Sequence, residues 1–156
     1  MLLTDILDSS CVKVPMAATD KRGTIEELVN ALADHGDVTD RKALLNAVME
    51  REATRTTGIG TGLAIPHGKS PSVTKLVMAI GKPAKPIDFD SIDHKPVSLV
   101  VLLASPPDKA GPHIQALARI SRLMTIESFR DALDKATTSQ QVYEVIARQE
   151  TPAAKT

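Results

Sequence analysis

Nine residues, Val97 to Ser105 (VSLVVLLAS), hold two serines and otherwise only apolar side chains. A run that apolar, without a period of two, leaves no face for water and predicts a strand covered on both sides. Covering both faces takes helices on each side of the sheet, and the remaining sequence supplies them. Ile25, Leu28, Val29 and Leu32 form one apolar stripe in a helix over 24–36, with Thr24 and Glu27 in a capping-box pattern and Gly36 as its stop. A second helix runs from about Asp40 to near Ala53 on Ala43, Leu44, Ala47 and Val48. A third begins near Pro112, its stripe made by Ile114, Leu117, Ala118, Ile120 and Leu123, and two shorter helices follow at 126–135 and 139–149. Strands are expected at 12–16 (VKVPM) and 75–80 (KLVMAI). The class is α/β, a three-layer α/β/α sandwich. One domain is expected over 1–150, with no internal repeat, and then a frayed, flexible tail at 151–156.

Composition narrows the functional classes. Lys plus Arg and Asp plus Glu number 19 each in 156 residues, so no net field draws the chain to nucleic acid or to an anionic membrane. Aromatic residues are 2% of the chain, too few for the stacking platforms of a single-strand binder. The one cysteine, Cys11, excludes an internal disulfide framework and reads as a strand residue in CVKV. The N-terminal MLLTDILDSS is broken by Asp5 and Asp8 and has no basic leader, and no stretch approaches the roughly 18 apolar residues of a membrane span. The expected location is cytoplasmic.

The most informative stretch is GIGTGLAIPHGKS, Gly58 to Ser70. It is neither a P-loop, since Pro71 follows Lys69-Ser70 where a helix would have to start, nor a dinucleotide loop, since Gly58, Gly60 and Gly62 recur at every second residue. The glycines give backbone freedom and close approach. Pro66 biases Ile65 to an extended conformation, so GLAI is expected to run as a short strand that delivers His67 to its end, with Gly68 leaving one flank of the ring open. A histidine titrates near neutrality and has a neutral fraction able to attack an electrophile.

A second histidine, His113, follows Pro112, which suits the first helical position. His113 therefore sits in the first turn, where the helix dipole favours an anion and disfavours imidazolium. Arg51 ends the second helix. His35 and His94 read as surface residues. On residues alone the stretch is open to a phosphate-handling loop, a nucleophilic histidine, a metal site or a plain turn. A metal-dependent hydrolase built on His67, His113 and an acid such as Asp108 is an alternative, although no His-x-His or His-x-x-x-His spacing is present. A structural adaptor is a third reading.

REATRTTGIGTGLAIPHG, followed about 46 residues later by GPHIQALARISRL, resembles the type-2 enzyme IIA domains of the bacterial phosphotransferase system, the fructose/mannitol class and the nitrogen-regulatory IIA proteins. The likeness runs from LLTDIL to the last helix and includes PIDFDSIDHKPV. It implies a central mixed β-sheet flanked by helices. It also implies a phosphoryl carrier that accepts its group on Nε2 of His67 from a histidine phosphocarrier protein and passes it to a sugar-permease IIB component, or regulates partners through its phosphorylation state. His113 then matches the second active-site histidine, Arg51 the active-site arginine, and Thr57, with Gly58 and Gly60, the phosphate pocket. No metal or other cofactor is implied. Ile59, Leu63 and Ile65 are the apolar residues expected to help dock partners. Many relatives have leucine where Ile114 stands, and SPPDKAG differs from the family pattern.

Overall fold

A computed structural model describes residues 2–150; the tail at 151–156 lies outside the described residues. After a 3₁₀ turn at Leu3–Asp5, the elements are β1 (Leu7–Met16), α1 (Lys21–His35), α2 (Arg41–Thr54), β2 (Gly58–Gly60), β3 (Leu63–Ala64) and β4 (His67–Lys69). They continue with β5 (Val77–Pro83), β6 (Leu99–Ser105), α3 (Ala110–Leu123), α4 (Glu127–Lys135) and α5 (Ser139–Glu150).

β6 is the central strand, and all seven of its residues are buried. The strand order is β1-β5-β6-β3-β2, with β4 also paired to β6. β5 runs antiparallel to β6, whereas β3 and β4 both run parallel to it, so the sheet is mixed. Alternation along β6 feeds two separate cores. Val100, Leu102 and Ala104 pack with Ile25, Leu28, Leu32, Leu44 and Val48 of α1 and α2. Leu99, Val101 and Leu103 pack with Ala116, Ile120, Phe129, Leu133, Val142 and Ile146 of α3, α4 and α5. The expected three-layer α/β/α sandwich is the observed one.

Several local expectations are corrected. The cap of α1 is Asp20, which accepts from the Gly23 amide at 2.7 Å, so the helix starts one turn before Thr24. Thr24 lies inside it with its hydroxyl donating to the Lys21 carbonyl, and Glu27 instead accepts the amides of Ala17 and Ala18 ahead of the helix. Gly36 does end it, in the left-handed region at φ 96°. β1 reaches back to Leu7 through the polar Asp8-Ser9-Ser10, where its register with β5 slips. α3 starts at Ala110, so Pro112 is its third residue rather than its first; its lack of an N–H costs nothing there, because no helical carbonyl is yet within reach. The buried face of α3 is His113, Ala116 and Ile120, and Ile114 is 63% exposed. At the chain ends, the buried carboxylate of Glu150 accepts from the amides of Leu3 (2.6 Å) and Thr4 (3.1 Å) and from Arg119 Nε (2.7 Å).

Candidate functional site

β3 and β4 are two pieces of one course alongside β6, interrupted at Ile65-Pro66 because proline has no N–H for the ladder. The Pro66 carbonyl still accepts from Leu103, so the course resumes at once and His67 is the first residue of β4 rather than the end of a strand. Gly68 is not an open flank. A Cβ there would stand 3.0 Å from Val48 Cγ2 and from the Val48 amide nitrogen, and 3.2 Å from the Ala47 carbonyl carbon. Glycine is what lets α2 lie directly against β4 and bring its C-terminal Arg51 to the histidine.

His67 Nδ1 is 2.8 Å from the Ile65 carbonyl oxygen. A carbonyl only accepts, so the proton is on Nδ1 and the lone pair of the neutral ring is on Nε2. Burial holds the His67 pKa below its ordinary value, with Arg51 adding to the effect, while the Ile65 carbonyl and Glu52 oppose it. The neutral, nucleophilic form is thereby favoured.

His113 stands opposite, its ring centroid 5.4 Å from that of His67 at an interplanar angle of 64°. It is 2% exposed, and its Nδ1 shares a 2.7 Å hydrogen bond with Ser105 Oγ. Its Nε2 is buried and has no partner among the described residues. Burial, then the proximity of His67 and Lys69, pushes its pKa down to about 4. Both rings, with Arg51, Lys69, Ile114 and Leu117, line a cleft of about 530 Å³. A neighbouring cleft of about 230 Å³ shares Arg51 and His67 and adds Arg55, Thr57, Ile59 and Ile92. Arg51 donates one guanidinium N–H to the Arg55 carbonyl at 3.0 Å and faces both clefts.

The structure thus gathers His67, His113 and Arg51. Thr57 lines the smaller cleft, but its hydroxyl donates to Glu52 Oε1 (2.6 Å) and its amide to Glu52 Oε2 (2.8 Å). Gly58 and Gly60 line neither cleft. Gly58 instead admits the loop that follows β5, since a Cβ there would lie 2.4 Å from Ser91 Oγ. Leu63 and Ile65, expected on the docking face, are buried; the exposed apolar residues there are Ile59, Ile92 and Ile114. Among the described residues no cluster of three His, Cys, Asp or Glu side chains could hold a metal, and Asp108 is exposed in the turn before α3.

Three residues not singled out from the sequence belong to the site. Lys69 lines the larger cleft. Ser105 contacts His113. Glu52, 4% exposed, holds Thr57 and pairs with Lys21 Nζ at 2.9 Å. Through the Thr57 carbonyl, which accepts from Ile65, that network reaches the residue that orients His67. Its signal was periodicity, for Glu52 continues the Leu45–Val48 stripe of α2 by one turn.

Residues 5–149 match the family model described as "Phosphoenolpyruvate-dependent sugar phosphotransferase system, EIIA 2". The chain belongs to that family. This type-2 enzyme IIA chain is 40% identical over 127 residues to the fructose-specific EIIA component of Haloferax volcanii, covering 81% of this chain and 82% of that one. It is 33% identical over 147 residues to a nitrogen regulatory protein of Bradyrhizobium diazoefficiens, covering 94% and 95%. It is 33% identical over 146 residues to the fructose-specific EIIABC component of Bacillus subtilis, of which it spans only 23%. Among solved structures, the nitrogen regulatory protein IIA-Ntr of Neisseria meningitidis superposes with a TM-score of 0.84 at 27% identity, over 91% of this chain and 97% of that one. Mannitol IIA of Escherichia coli, at 21% identity, shares the fold with a TM-score of 0.75 over 89% and 97%. No helix among the described residues is long and apolar enough to cross a membrane.

Proposed function

We propose that this enzyme IIA domain is a phosphoryl carrier whose acceptor atom is Nε2 of His67. The observation that carries the reading is the 2.8 Å bond from Nδ1 to the Ile65 carbonyl, which leaves the lone pair on Nε2 at the wall of a cleft shared with His113 and Arg51. In the transfer, Nε2 attacks the phosphorus of a phosphohistidine on a histidine phosphocarrier protein. The new N–P bond forms as the donor's N–P bond breaks, and the donor imidazole leaves with the electron pair. The Nδ1 proton stays on the ring, hydrogen-bonded to the Ile65 carbonyl, which offsets the positive charge that the ring gains.

Phosphoryl transfer asks chiefly for positioning and for neutralisation of the equatorial oxygens. Arg51 and Lys69 supply positive charge, and the His113 Nε2 supplies a donor. Partner contact falls to Ile59, Ile92 and Ile114, which surround the two clefts. The acceptor is either a IIB component or a protein regulated by phosphorylation state. Mannitol IIA of Escherichia coli, which has this fold, forms a complex with phosphorylated mannitol IIB, and that supports the first kind. The nitrogen regulatory relatives support the second.

Incubation with phosphoenolpyruvate, enzyme I and a histidine phosphocarrier, followed by intact mass, tests the proposal. One acid-labile phosphoryl group in the native chain and none in His67→Ala is expected. Absence of the group, with a donor pair verified on another acceptor, overturns the reading. A chase with a IIB domain then separates the two kinds of acceptor.

A further inference from the structure

We propose that Ser105 is a positioning residue that fixes His113 in the tautomer with its proton on Nε2, so that a neutral ring presents an N–H to the cleft. Hydrogen-bond accounting in a place without water decides between the tautomers. Ser105 is the last residue of β6 and fully buried, and among the described residues its hydroxyl has a single hydrogen-bond partner, His113 Nδ1 at 2.7 Å. A hydroxyl carries one proton, and a neutral imidazole has one N–H and one lone pair. Only two arrangements are available.

In the first, the Ser105 O–H donates to Nδ1, both groups are satisfied, and the ring proton sits on Nε2. In the second, Nδ1–H donates to Oγ. The Ser105 proton is then left without an acceptor in the core, an arrangement native structures avoid. It would also turn the Nε2 lone pair towards the anionic oxygens that the cleft is proposed to receive. The first arrangement accounts as well for the one oddity of the ring, a buried Nε2 with no partner. An N–H there is a donor awaiting an acceptor that the described residues do not provide, and a phosphoryl oxygen is such an acceptor.

The register explains why β6 can do this. Lys69 of β4 pairs with Ser105, and His67 pairs with Leu103. The strand that bounds the nucleophile therefore places a hydroxyl two residues farther along, under the first turn of α3. A neutral donor also suits a carrier, because it holds the phosphoryl oxygens without the full charge of an imidazolium and lets the group leave again. This consequence for transfer rests on the phosphoryl-carrier reading; the tautomer assignment does not.

The test is nitrogen-detected NMR of the histidine rings at pH 7 in the unphosphorylated native chain and in Ser105→Ala and Ser105→Cys, alongside transfer kinetics. The native protein is expected to show a protonated nitrogen at Nε2 of His113 and a lone-pair nitrogen at Nδ1. Ser105→Ala is expected to lose that preference and to accept phosphate roughly three- to tenfold more slowly, the span for weakening one hydrogen bond. Cysteine, a weaker donor of similar size, should fall between the two. A proton on Nδ1 in the native protein overturns the proposal whatever the variants do. So does a tautomer or a transfer rate that Ser105→Ala leaves unchanged. If the NMR result holds and no chain accepts phosphate, the carrier reading fails and the tautomer assignment stands.

Discussion

Acid should unfold this protein partly through His113, by an amount the structure supplies. The ring is pushed from its ordinary value of 6.5 down to about 4 by burial, then by His67 and Lys69. The sign follows from which state takes up the proton. Below pH 6.5 the unfolded chain binds one at this residue, and the folded chain resists binding it until about pH 4. Stability therefore falls as the pH drops through that window. A gap of about 2.5 pH units, at ~1.36 kcal/mol each, gives a loss of ~3 kcal/mol. Urea unfolding of the native chain and of His113→Gln, at steps from pH 7 to pH 4, isolates the effect. His67, also lowered, and His35, raised chiefly by its hydrogen bond with Asp37, are present in both chains and largely cancel in the difference. The native chain should lose about 3 kcal/mol relative to the variant over this range. Two parallel pH profiles would defeat this explanation, because they would mean that the ring is charged in the fold or reached freely by water.

Other perturbations probe the supports of the site. Glu52→Ala leaves the Thr57 amide and hydroxyl and Lys21 without their shared acceptor; chemical unfolding should register a loss of about 3 kcal/mol. Transfer to His67 should slow in that variant even where it is fully folded. Gly68→Ala forces α2 away from β4, with an expected cost of about 1–3 kcal/mol and a larger proportional loss of phosphoryl acceptance, since Arg51 moves with the helix. Ile114→Asp should leave the melting temperature within error, because the side chain is 63% exposed, yet raise the KM for the phosphocarrier. An unchanged KM would remove Ile114 from the docking face.

What the sequence made legible follows from how local each cause is. The VSLVVLLAS run needed only its own composition to predict a doubly covered strand, and the His67 and His113 segments announced themselves by motif. Arg51 read from its own position only as a cation at a helix end, and its place in the site came from the family resemblance. The errors came where tertiary contact decides. Gly68 reads as freedom in sequence, yet in the fold it is the contact point of α2. Leu63 and Ile65 stand beside the histidine in the chain but point into the core, because the β3 course lies in the sheet interior between β6 and β2. Asp8-Ser9-Ser10 hides the first half of β1, an edge strand held by pairing with β5 rather than by burial of every residue. Glu52 and Ser105 carry no motif at all. Each is a polar residue in an apolar pattern, explained only once Thr57 and His113 are seen beside it.

The phosphoryl-carrier reading depends on His67 carrying the phosphoryl group on Nε2, and NMR of the ring nitrogens in the phosphorylated protein reads that bond itself. One phosphorus-coupled nitrogen is expected, Nε2 of His67, with the proton still on Nδ1 and the signal absent in His67→Ala. A phosphoryl group on Nδ1, or on any other residue, would disprove it.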